Sequence, residues 1–586
     1  MNPSIAAIDE VPASAGTWLA KWLATIGGLM LVLAGLSAAS VHALRISAPG
    51  YRLGLAFAPP WLAVSGGGCL AVATTLLLLR HASRKLATTL ANAAAIRPAG
   101  FGAGVGIVLG CALLVLAFDG AAFFHGFFRL DDFEILRIAR TEPLIRQLFR
   151  ANADHSMLLF RLEVTVTLKL FGATPAVFNI ANFLGCAGML AAGCWLLGET
   201  GARVLSLLAF AVVAWAWPGW GDYTEGYDTL STYVQATMFG FASVAALLRA
   251  ARTGQRRWLV FCTLAAVATG LVDLAGIWIF PALAAFAWAT RQTGTARSDF
   301  THGAILCAGL AVFVVVGVNW ITFGTGGFQR VEAGTLTVAG AFVAILSGTG
   351  GALLSLVLPF PAGSLHTSNL VRLIELAALA SAGWIVGRQF RRQSAPDRRL
   401  VAAIAATVVV TVAMVALARP GTESGLFWPP KWTAATHAWL AVGVAFCVDR
   451  LANLGHHANS VALVLALMMW SSVTASHAAV ATHAPTGRLH ARHRAETRRA
   501  EFDRLVAAVA ALAARIPQTP LVLPPAPRNR LFAEFPALEN YPLADLLAAA
   551  PPGTPAVRVQ PGPLPPEVAA ALPAVPSLAR VYQSAR

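Results

Sequence analysis

Two adjacent carboxylates, Asp131 and Asp132, stand in the stretch Phe128-Arg129-Leu130-Asp131-Asp132-Phe133-Glu134, just after an apolar run that ends near Phe124. Neighbouring carboxylates at an apolar boundary raise one another's pKa, and either can then act as a general base. The competing account is a pair of solvated charges closing a hydrophobic run and neutralised by Arg129 or Arg137. Few other polar groups in the first 478 residues have a comparable setting. They are His155 and Arg161, in Asp154-His155-Ser156-Met157-Leu158-Leu159-Phe160-Arg161; the acids Asp222, Glu225 and Asp228 among Trp217, Trp220, Tyr223 and Tyr227; Asp273, inside a long apolar stretch; and Lys431, beside Trp432.

The elements that position these groups are hydrophobic spans. Of the 586 residues, 57% are hydrophobic and only 12% charged, and the mean hydropathy is +0.66. Continuous apolar runs of about 20 residues recur, which is the length a transmembrane helix needs. They do not alternate, which excludes a transmembrane barrel. The fold class is therefore an all-α polytopic membrane protein. A net charge of +16 suggests nucleic acid in a soluble chain. Here Arg and Lys cluster in short loops and set topology instead, so no nucleic-acid partner is expected. The seven cysteines lie in or beside apolar runs without metal or CxxC spacing and read as packing residues. The first eighteen residues lack Lys and Arg and the first apolar run is long, so it is expected to remain as an anchor rather than a cleaved signal.

Spans are expected at 18–41, 61–80, 103–124, 175–197, 202–217 and 229–248, as two short helices within 258–290 meeting near Asp273, and at 302–322, 369–387, 400–418, 433–449 and 459–476. The Gly-rich 323–368 region reads as a re-entrant or interfacial hairpin. About thirteen crossings result. Arg80, Arg84, Lys85 and Arg97 place the second connection in the cytoplasm, with the N-terminus; the acidic pair then faces outward. Residues 125–174 interleave charges with Ile135, Leu136, Ile138, Leu144, Ile145, Leu148 and Phe149, a pattern for helices lying along the interface with one face in lipid. Residues 157–171 form a second such helix. The chain divides into an N-terminal two-span extension (1–102), a membrane domain (103–478) and a C-terminal tail or small domain (479–586), with an amphipathic helix over 491–515.

A span, an outward Asp-Asp-aromatic motif (Leu130-Asp131-Asp132-Phe133), interfacial helices, and then His155 followed by an apolar run with Arg161 resemble the GT-C superfamily, the polyprenyl-phosphate-dependent integral membrane glycosyltransferases. That group includes protein O-mannosyltransferases and the aminoarabinose transferase of lipid A. The similarity covers about residues 103–478; the two earlier spans depart from the simplest plan. The resemblance implies that Asp131 or Asp132 is the base, or orients the acceptor, in an inverting transfer from a polyprenyl-phosphate sugar to a glycan, lipid or protein acceptor. It implies cations for the leaving phosphate, with Arg129, Arg137, Arg161 and Lys431 as candidates. For Lys431 the alternative is an interfacial anchor. Asp222, Glu225 and Asp228 would hold a divalent cation or contact sugar hydroxyls, with an aromatic belt as the ordinary explanation of the residues around them. That divalent cation is the one cofactor considered, and none is assigned with certainty. His155 reads as structural or acceptor-positioning, and Asp273 is expected to reach the outer surface at the turn between its two helices. The competing functions are a polysaccharide polymerase or ligase, whose key residues lie in a later loop, and a transporter or flippase, which needs charges deep in its spans. An Ala-, Arg- and Gly-rich composition points to a bacterial source, and the resemblance then implies its inner membrane.

Overall fold

The computed structural model describes residues 127–128, 131–150, 156–215, 227–290, 296–325, 337–356, 369–391, 393–418, 433–453, 488–516, 520–538, 542–551 and 553–582, with short helical pieces within 21–35, 66–77 and 106–110. Three amphipathic helices come first: α1 (Asp131–Thr141), α2 (Leu144–Leu148) and α3 (Leu158–Phe171). The membrane bundle follows as α4 (Pro175–Glu199), α5 (Val204–Trp215), α6 (Tyr227–Thr253), α7 (Arg256–Val272), a 3-10 turn (Leu274–Trp278), α8 (Ile279–Ala289), α9 (Ala296–Thr325), α10 (Val338–Ser355), α11 (Asn369–Phe390), α12 (Ala395–Ala418) and α13 (Ala434–Asn453). The C-terminal part is α14 (Arg488–Ala513), β1 (Leu521–Leu523), α15 (Arg528–Glu534), α16 (Leu543–Ala548), β2 (Val557–Val559), α17 (Pro566–Ala571) and α18 (Pro576–Tyr582). Strands β1 and β2 pair in parallel, Leu521 opposite Val557.

The helix ends follow local chemistry. Gly172 stops α3 with φ 67°, donating its N–H to the Leu168 carbonyl at 2.9 Å, and Pro175 then opens α4 with its backbone already helical. Three helices are long and apolar enough to cross a membrane: Pro175–Glu199, Thr232–Thr253 and Ala395–Leu417. Four shorter apolar helices accompany them, at Val204–Ala214, Gly276–Ala289, Ala308–Thr322 and Val338–Leu354. The break expected near Asp273 is present, and the expected spans from 175 to 449 correspond to described helices. The first three expected spans are described only in fragments, and 459–476 lies outside the described residues.

Apolar residues of α4–α10, α12 and α13 form one core around Trp439, which packs on Phe241, Trp278 and Phe286. Small residues let these helices approach: the Phe210 ring occupies the space a Cβ at Gly193 would need, and Trp278 does the same at Gly240. A second core joins the amphipathic helices to the C-terminal part. There Phe127, Phe128 and Phe133 meet Phe502 and Phe178. The C-terminal segment is thus a folded domain seated on α1 rather than an extended tail. This also corrects the expected lipid-facing role of Ile135, Leu136 and Ile138: all three are buried. Lipid-facing candidates remain on α2 and α3, where Ile145, Leu162, Val166, Leu170 and Phe171 are exposed.

Ion pairs gather the opposite end of the bundle. Glu199, at the end of α4, pairs with Arg249 at 3.3 Å and Arg252 at 2.8 Å and accepts from the Trp195 indole at 2.9 Å. Asp449, near the end of α13, accepts the Arg203 backbone N–H at 2.9 Å and contacts Arg450, which reaches Asp397 at 2.7 Å. The ends of α4, α6 and α13 and the starts of α5 and α12 are therefore tied together. Asp449→Ala strands the largely buried Arg203, and removing one member of a buried pair costs about 3–5 kcal/mol. A lower thermal midpoint of the detergent-solubilised protein is expected, with a smaller drop for Asp449→Asn.

Candidate active site

The other end of the bundle carries the sequence-identified acids. Asp132 sits in the first turn of α1 and is 2% exposed. Its setting is therefore not that of a solvated charge closing a span. A carboxylate removed from water holds its proton more tightly unless a positive or hydrogen-bonding neighbour compensates, and that balance is how a base is tuned. Along α1, Phe133, Ile135, Leu136 and Ile138 are all buried, whereas Glu134 and Arg137 are partly exposed and Arg140 is exposed, so Asp132 is the one described charge of this helix that is buried.

Helix α3 brings Arg161 to the back of the α1–α2 hairpin. Arg161 is 3% exposed, and its Nε and Nη2 have no hydrogen-bond partner among the described residues. Burial lowers its guanidinium to about 10; Arg150 acts in the same direction, while Glu134 and Glu142 oppose it. It remains protonated at neutral pH. Around it the hairpin is braced by charge: Glu134 lies 3.7 Å from Arg137 and 3.8 Å from Arg150, and Arg150 also binds Glu142. Gln147 joins the two elements, taking the Thr165 hydroxyl at 2.7 Å and donating to the Ala139 carbonyl at 3.1 Å.

Asp273 occupies the break between α7 and the 3-10 turn, with extended backbone at φ −152° and ψ 138°. Its carbonyl accepts the Gly276 N–H at 2.8 Å, and the next amide, of Leu274, donates to the Ser156 carbonyl at 3.1 Å. Asp273 is fully buried within the protein, and the Leu274–Ser156 hydrogen bond brings residue 156 against the break. Gly276 packs against the Thr269 carbonyl so closely that no Cβ fits, which fixes the sharp return of the chain.

Several buried polar atoms near this end are left without a protein partner among the described residues: Ser156 Oγ, the Arg161 atoms, Asn179 Nδ2 and Asn182 Oδ1. Asn179 and Asn182 lie near the start of α4, three residues apart and so on one helix face. Gln235 of α6 reaches over Gly185 of α4 and donates to Glu163 of α3 at 2.7 Å. Buried polar groups normally find partners, and open ones occur at both ends of the bundle, with Glu199 Oε2, Arg203 Nε, Arg249 Nε and Arg450 Nε at the other.

No protein-family model, curated protein or solved structure matches the chain.

Among the sequence candidates, Asp132, Arg161 and Asp273 are buried at the same end of the bundle. Arg137 is drawn elsewhere, into a short ion pair with Asp545 of the C-terminal domain, so it is not a free phosphate cation. Asp131 and Asp228 open α1 and lie in the first turn of α6, with side chains outside the described residues; Arg129, His155, Asp222, Glu225 and Lys431 lie outside them altogether. Among the described residues no group of three or more His, Cys, Asp or Glu side chains gathers as a metal site. Ser156, Gln147, Glu163, Gln235, Asn179 and Asn182 were not singled out from sequence. The signal for the two asparagines was present: amides within an apolar span are costly and usually functional or paired.

Proposed function

We propose that the chain is a GT-C-like membrane glycosyltransferase that moves a sugar from a polyprenyl-phosphate donor to an extracytoplasmic acceptor. The observation that carries this reading is the buried carboxylate Asp132, at the end of the bundle where Arg161, Ser156, Asn179 and Asn182 hold open polar atoms. In the proposed step an acceptor hydroxyl or amine attacks the anomeric carbon with inversion. The bond from that carbon to the phosphate oxygen breaks, the polyprenyl phosphate leaves with the electron pair, and the acceptor's proton passes to Asp132 or its neighbour Asp131. Because the donor arrives activated, one carboxylate suffices, unlike the pair needed by many hydrolases. Arg161 supplies charge toward the leaving phosphate. Asp222, Glu225, Asp228 and Lys431 are assigned to the sugar or phosphate side on the resemblance alone, and a divalent cation at the three acids is optional.

The proposed arrangement has about thirteen crossings in a bacterial inner membrane, with the N-terminus in the cytoplasm. The Arg-rich end, with Arg203, Arg249, Arg252 and Arg450, then faces inward by the positive-inside tendency, and the acidic end and C-terminal domain face outward. The test is glycan and lipid-linked-sugar analysis of a strain lacking the protein, together with transfer from a synthetic polyprenyl-phosphate hexose by the protein in nanodiscs. A missing sugar in the strain and release of polyprenyl phosphate in vitro support the reading; unchanged glycans and no release overturn it.

A further inference from the structure

The contacts between α1 and the C-terminal domain fall on one stripe. Phe133 stacks near Phe502 with ring centroids 6.4 Å apart, Arg137 pairs with Asp545, and Arg140 donates to the Ala550 carbonyl at 3.2 Å. Positions 133, 137 and 140 follow the i, i+4, i+7 spacing of a single helix face. Asp132 is one residue, about 100° of helical rotation, away from that face. Just ahead of α1, Arg498 of α14 is buried and donates to the Phe128 carbonyl at 3.3 Å, and Phe127 lies 5.2 Å from Phe502. The domain therefore grips α1 along one side and at its approach. The grip sets the helix's roll about its own axis, and the roll decides where Asp132 points.

We propose that the C-terminal domain is a positioning element of the active site, with Asp545 and Arg498 as positioning residues that fix the roll of α1 and so the aim of Asp132. It rests on the glycosyltransferase reading only for its catalytic consequence; the positional claim stands on geometry alone. Asp545 is suited to this role because it is a mostly buried carboxylate engaging a partly exposed guanidinium over 408 positions of sequence, a contact with no local reason to exist. Arg498 ties the same domain to backbone, so it fixes position without depending on the identity of the Phe128 side chain.

The test uses full-length protein in nanodiscs and two readouts. The first is the maleimide reactivity of a thiol placed by Asp132→Cys, followed by mass spectrometry of that peptide so that the native cysteines do not interfere. The expected order is slow labelling in the otherwise native chain, about tenfold or faster labelling with Asp545→Arg, and slow labelling again in the charge-exchanged Arg137→Asp/Asp545→Arg chain. The second is sugar transfer with Asp132 intact. Asp545→Arg is expected to lower kcat about a hundredfold with little change in the donor KM, as small misplacements of a reacting group do, and the exchange to recover most of it. Arg498→Lys is expected to keep more transfer than Arg498→Met. Labelling that stays slow in Asp545→Arg, or an exchange that restores neither readout while the chain remains folded by thermal midpoint, overturns the proposal. Labelling that follows the expected order while no chain transfers sugar overturns the glycosyltransferase reading and leaves the positioning role in place.

Discussion

Asp132→Asn is expected to lower sugar transfer by about 10²–10⁴-fold while leaving the protein in the membrane at ordinary abundance. The amide keeps the size of the carboxylate and can still hydrogen-bond, so the packing around Phe133 and Leu136 is retained; what it loses is the ability to take a proton. A solvated, merely structural aspartate would show neither the burial seen at Asp132 nor this sensitivity. The measurement is initial-rate transfer from a synthetic polyprenyl-phosphate hexose, with the donor KM and kcat separated. A fall confined to kcat marks proton transfer, and a rise confined to KM marks acceptor or donor binding. Asp131→Asn under the same conditions apportions the pair. If both single variants and the double variant support full transfer, neither carboxylate is the base.

The sequence carried much of this site's position but little of its enclosure. Hydropathy located the helices from 175 to 322 and from 369 to 449 because each is a local, one-dimensional signal, and the break at Asp273 showed as an apolar stretch too long for one span and too short for two; the 323–368 region, read as a hairpin, carries the continuous helix α10 over Val338–Ser355. Enclosure depends on contacts that skip hundreds of residues. Ile135, Leu136 and Ile138 carry an apolar pattern that fits lipid and protein equally well; only the docking of 488–582 decides between them. Arg137 looked like a free cation for the same reason, since its partner Asp545 is far along the chain. Asp273 is assigned to the outer face because a carboxylate is costly in mid-bilayer; its burial involves the Leu274–Ser156 hydrogen bond, which is non-local. The pattern of misses is thus physical: local propensity and span length read directly, while pairing between distant segments does not.

Arg161→Met separates binding chemistry from folding most sharply. A buried ion whose Nε and Nη2 lack partners among the described residues contributes desolvation cost with incomplete return, and burial already lowers its pKa to about 10. Exchanging such an ion for an apolar side chain of similar length relieves that desolvation cost. Arg161→Met is therefore expected to keep or raise the thermal midpoint, whereas transfer falls by about 10²-fold or more because the leaving phosphate loses its cation. Arg161→Lys retains charge but not the planar fork, and an intermediate rate is expected. That combination of greater stability and lost transfer is what a residue kept for its ligand produces. A structural arginine gives the reverse, which is the result expected for Arg203 at the opposite end, where the guanidinium is answered by Asp449. If Arg161→Met unfolds the protein, or leaves transfer intact, Arg161 belongs with the braces of the α1–α2 hairpin and not with the phosphate.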